Sequence, residues 1–376
     1  LDPASNVDMY NVAVGYDAAK AMTTGVQNTI VGGNSGSAIT TASNNTAVGY
    51  NSLTANTTGG SNTALGYKAG NSNTTATEMT AVGIEALYSN TTGNTNSALG
   101  RRALYSTTTG VNNAGFGART LYTNTTGSYN VSIGMDSLYS NTTASNNTAV
   151  GYSALYANTT GTQNVALGAL ALDANTTGDN NVSLGYGTLT ANTTADNNVA
   201  IGRTALEVNT TGASNVAVGA YALDANTTAS SNTAVGTSSL GSNTTGSSNA
   251  SVGTNALLTN TTGANNSALG RSALQANTTG GSAVGIGYNA LLVNTTGENN
   301  VAVGSNALEA NTTASNNVAI GRKALYANTT GERNVAMGSN ALLANTTAND
   351  NTAIGNQALQ ANTTGTRNSA LGAYAL

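Results

Sequence analysis

Apolar residues recur along this chain with a spacing that neither a helix nor a long strand would produce. Every 17 residues a short cluster such as Val199, Ala200, Ile201 is closed by a glycine, Gly202, and followed by an Ala-Leu pair, Ala205 and Leu206. Numbered from its most regular tripeptide, the unit reads N-T-T-G-x-x-N-x-A-V-G-x-x-A-L-x-A, as from Asn158 to Ala174. In an extended segment alternate side chains take opposite faces, so positions eight and ten point one way and the alanine at nine the other. The pattern predicts a short strand over positions seven to eleven, a second over fourteen to seventeen, and a third extended piece at N-T-T. Helical repeats run about 33 to 47 residues, and Gly, Asn and Thr stand here where a helix would want Ala, Glu or Lys. The predicted fold is therefore all-β, a β-solenoid of the parallel β-roll kind, with one 17-residue coil per unit.

Repetition within the chain ranks the positions. The eleventh is glycine in all 22 units, Gly151, Gly168 and Gly185 among them, which predicts a corner needing positive φ or close backbone approach. Thr-Thr fills positions two and three in 21 units, and the seventh is Asn in 20, failing only at Met79 and Ala283. The tenth is always apolar, and the fourth is Gly or Ala in 21 units, which points to a need for smallness there. The fifteenth is Leu from Leu53 onward except at Gly70, while Ala19 and Gly36 replace it earlier. Residues 1–51 thus read as degenerate N-terminal coils and 52–376 as regular ones, in a single continuous rod. At about 4.8 Å per strand, 22 coils would make a rod on the order of 105 Å long.

In-register stacking places like above like. Asparagines at position one (Asn141, Asn158, Asn175) and position seven (Asn147, Asn164, Asn181) are expected to form ladders in which each amide donates to the next along the axis. The alanine stripe at nine, set against larger apolar residues at eight and ten, suggests a coil buried on both faces. That predicts lateral packing between chains, with the alanines as the shared surface.

Composition narrows the function. Only 7% of the residues are charged and the net charge is -4, which leaves no basic footprint for nucleic acid. Cysteine, histidine and tryptophan are absent, so disulfides and thiolate or imidazole metal sites are excluded by counting. No apolar run approaches the roughly 18 residues of a membrane span, so membrane insertion is not expected. The acids are scattered singly, without the nucleophile and base pairs of catalysis, and no cofactor or metal is expected. The strict phase of the apolar positions argues against a disordered linker. The chain starts at Leu1 and stops two residues short of a full unit, which reads as part of a longer protein.

Units such as Asn317, Val318, Ala319, Ile320, Gly321, then Ala324 and Leu325, resemble the N-x-V-A-I-G-x-x-A repeats in the YadA-like head of trimeric autotransporter adhesins. With N-T-T-G added, the unit is also similar to repeats of bacteriophage tail-fibre proteins that carry an endosialidase-type chaperone domain. The resemblance implies a left-handed parallel β-roll, three chains wound about one axis, an extracellular location and a role in attachment. The unit is longer than the adhesin-head repeat of about 14 residues.

Charges and tyrosines fall at the variable positions. Tyr88, Tyr105, Tyr122, Tyr139 and Tyr156 hold the sixteenth position of five consecutive units. They would form an aromatic stripe that either stacks on itself or engages a surface glycan or host-cell receptor. The Thr-Thr steps offer a rival, a regular hydroxyl and methyl row of the kind found in ice-binding solenoids. N-T-T is also an N-glycosylation sequon, present 18 times, and is read as a by-product of the period. The expectation is a non-catalytic structural region of an extracellular fibre, self-associating as a homotrimer, with an ice- or carbohydrate-binding solenoid as the alternative.

Overall fold

The structure, a computed structural model, describes residues 9–376. Residues 1–8, the start of the expected degenerate segment, lie outside that range. The chain divides into two compact units, residues 1–184 and 185–376. Both are β-solenoids with a single three-residue strand per coil and no helix among the described residues. The first holds eleven strands, β1 (Val12–Val14) to β11 (Val182–Leu184), and the second eleven more, β12 (Val199–Ile201) to β22 (Ser369–Leu371).

Within each unit, neighbouring strands are parallel and 17 residues apart. Val165 lies opposite Val182, and Val199 opposite Val216. The strand occupies positions eight to ten, where β-branched Val, Ile and Thr concentrate. Position nine faces inward, contrary to the expected shared surface between chains, and Ala149, Ala166, Ala200 and Ala217 are fully buried within the chain's own coils. The core of a coil is completed by Ala at fourteen, Leu at fifteen, the small residue at four and the two asparagines.

The expected second and third strands do not form. Positions twelve to seventeen are a run of turns, and N-T-T is a bend. Eighteen leucines of the fifteenth position, from Leu53 to Leu359, take the left-handed conformation at φ +47° to +56°. The reason lies in where the N–H groups must point. Ser153 donates back to Met135 O at 3.1 Å, whereas Leu155 donates forward to Ala171 O at 3.0 Å and Ala157 forward to Asp173 O at 2.9 Å. A regular strand would send successive N–H groups to alternate neighbours, and a left-handed leucine changes that order. Left-handed backbone costs a leucine about 1–2 kcal/mol, and full burial of its side chain, about 1.5–3 kcal/mol, offsets this.

The corner glycine meets both expectations. Gly151 has φ +136°, and a Cβ there would sit 2.5 Å from the carbonyl oxygen of Gly168 in the next coil. The alanine stripe, in contrast, is not an interchain surface. It is enclosed within the chain's own coils, so its burial requires no partner.

Candidate interaction surfaces

The side chains left outside the coil define three longitudinal stripes. On the sheet, positions eight and ten alternate with the buried alanine and point outward. Leu99, Leu167 and Leu269 are exposed by 49, 46 and 51% respectively, and Phe116, Ile133, Ile201, Ile320 and Met337 by more than a third. With strands about 4.8 Å apart, the outward faces of eleven strands form a strip about 50 Å long and about 10 Å wide in each unit. Position ten is apolar in every coil, whereas position eight is Thr or Ser in many, such as Thr63, Ser97 and Thr148, so the continuous apolar part of the strip is the position-ten column. Sequence reasoning identified the residues but assigned the partner surface to the alanines. The alternation within one strand identified the outward set, yet which face was the inside depended on closure of the coil.

The tyrosine stripe lies in the first unit, on the turn side of the coil. Tyr88, Tyr105, Tyr122, Tyr139 and Tyr156 stack face to face, with centroids 5.1–5.2 Å apart and planes within 7–12°. Their faces are occupied by one another, so a ligand can reach only edges and hydroxyls along the row. Burial pushes the Tyr105 phenol above its ordinary value. Position thirteen runs alongside as a charged column. Arg102 Nε donates to Glu85 Oε2 at 2.7 Å, and Arg119 Nη2 to Asp136 Oδ2 at 2.6 Å. The guanidinium carbons of Arg102 and Arg119 each lie 5.7 Å from a ring centroid, those of Tyr105 and Tyr139.

The third stripe is threonine. At position two the hydroxyl is half-buried and bonds within the stack, as Thr142 Oγ1 donates to Thr159 O at 3.0 Å. At position three the side chain is exposed in coil after coil, including Thr58, Thr143 and Thr262.

Both asparagine ladders are internal. Asn158 Nδ2 donates to Asn141 Oδ1 at 3.0 Å and to Gly161 O at 2.9 Å. At position seven, the backbone N of Asn164 donates to Asn147 Oδ1 at 2.9 Å and its side-chain Nδ2 to Gly178 O at 2.8 Å, so this residue links three coils. The N-T-T asparagines from Asn56 to Asn345 are fully buried, with the Asn141 amide committed to Asn124 and Ala144, which leaves those sequons no accessible acceptor nitrogen in the folded state, whereas Asn362 in the last sequon is half-buried. No group of three or more acids gathers among the described residues, and no helix is long and apolar enough to cross a membrane. No protein-family model matches the chain, and no curated protein matches it.

Proposed function

We propose that this chain is a non-catalytic structural region of an extracellular fibre, a tail fibre or a surface adhesin, that associates with further copies of itself. The observation carrying this reading is the outward apolar column at position ten, unbroken in every coil of both units and joined at position eight by Val in some coils and by Thr or Ser in others. Evolutionary drift would not keep Val, Leu, Ile, Phe or Met in water at 22 equivalent positions without something to cover them. A homotrimer, with the stripes of three chains facing a shared axis, is the arrangement the resemblance to adhesin heads and tail-fibre repeats favours.

Light scattering with a sedimentation profile tests the proposal. A mass near three times the 37.0-kDa chain is expected. A single-chain mass at micromolar concentration would overturn it. The exposed threonine row at position three favours one second reading, a surface that orders water or ice. Thermal hysteresis in the intact protein that disappears in the triple variant Thr126→Lys, Thr143→Lys, Thr160→Lys would support that reading, and no hysteresis would remove it.

A further inference from the structure

The chain carries 15 acids and 11 bases, yet the fifty residues between Glu85 and Asp136 hold three arginines and no acid. Arg102 and Arg119 occupy the same position of consecutive coils, one strand spacing apart, where like charges repel. Each is balanced only on its outer side, by Glu85 and by Asp136. Arg101, exposed beside Arg102, makes no ion pair, and the Nε of Arg119 is buried without a partner. Two ion-paired arginines and one unpaired arginine, Arg101, therefore sit, with one positive charge in excess, against the middle of the tyrosine stack, whose rings repeat every 5.1–5.2 Å. That repeat is close to the advance per sugar of an extended β-1,4-linked polysaccharide, and the row presents one phenol per step.

We infer that Arg101, Arg102 and Arg119, with the hydroxyl edge of Tyr105, Tyr122 and Tyr139, bind an extended acidic polysaccharide lying along the solenoid axis. Its carboxylates meet the guanidinium groups, which donate in paired fashion, and its ring hydroxyls exchange hydrogen bonds with the phenols. Stacking of sugars on ring faces is not part of this site, because those faces are taken. The inference deepens the attachment reading by naming what is grasped. Positions twelve, thirteen and sixteen lie off the apolar stripe, so loss of this site leaves the solution mass unchanged and the two ideas fail separately.

Isothermal titration of the full chain with a β-1,4-linked uronate hexamer is the test, against neutral cellohexaose of the same length. The uronate is expected to bind at least about tenfold tighter than the neutral chain and to weaken with added salt. Arg101→Gln with Arg102→Gln should lose about tenfold or more in affinity, and Tyr105→Phe, Tyr122→Phe, Tyr139→Phe together, which keep the stack, should lose severalfold. Circular dichroism and solution mass of each variant establish that it is folded. Absence of uronate binding, equal binding of the neutral hexamer, or full retention of affinity in the folded arginine variant would each overturn the proposal.

Discussion

Breaks in the repeat show how single residues hold a coil together, because each break is answered nearby. Gly70 replaces the core leucine, and Met79, standing where position seven is otherwise Asn, fills the space: a Cβ on Gly70 would lie 2.4 Å from Met79 Cε. At Gly36 the same room is taken by Ile30 and Ile39, which replace a strand alanine and a ladder residue. One break is left unanswered. Thr107 interrupts the position-one ladder, so Asn90 Oδ1 is buried without a donor, and Asn124 Nδ2, which keeps its bond to Gly127 O at 3.0 Å, meets only the Thr107 hydroxyl oxygen at 3.4 Å in the preceding coil. Thr107→Asn should supply the missing donor and raise stability by about 1 kcal/mol in denaturant titration. The reverse change is costlier. Asn130 Oδ1 accepts from Asn147 N at 3.0 Å, and its Nδ2 donates to Ala144 O at 2.9 Å. Asn130→Ala would strand both groups in the core and should destabilise the protein by about 2–4 kcal/mol.

A coil is closed by its corner and its turn rather than by strand pairing alone. Gly151→Ala meets a backbone carbonyl that cannot retreat without moving the next coil, and it also imposes φ +136° on an L-residue. A loss of more than about 3 kcal/mol is expected, read as a lowered denaturant midpoint. The turn also holds two acids whose protonation is coupled to folding. Asp224, at position sixteen, is held above the ordinary aspartate value of 3.8 first by burial and further by Glu207 one coil earlier; Asp173 is raised by burial. Because the folded state favours the protonated acid, this contribution is present below 3.8 and is lost as pH rises through the raised value. Asp224→Asn should therefore melt higher than the parent at about pH 7 and no higher at about pH 3.

At the scale of the whole molecule, each coil touches only its neighbours, so stability accumulates from coil to coil. Local repairs and losses should therefore add when they are several coils apart. The outward apolar column is the feature on which the proposed association of chains rests. Charging it with Ile201→Lys and Leu269→Lys, both more than a third exposed, should leave the coil intact and reduce the mass to one chain. Unchanged mass in both variants would separate assembly from the stripe.

The 17-residue period, the all-β solenoid, the corner glycine and both asparagine ladders were legible in the residues alone. Each depends on a local chemical requirement repeated in phase: a missing Cβ at Gly151, an amide able to donate and accept at Asn158. The conformation of Ala-Leu-x-Ala was not legible, because Leu155 takes left-handed backbone only to direct its N–H toward Ala171, a neighbour the local sequence does not reveal. Nor was the direction of the core. Alternation separated Ala166 from Val165 and Leu167, but only closure of the coil decided that the alanine side, too narrow for larger residues, is the inside. The larger apolar side chains are thereby left facing water.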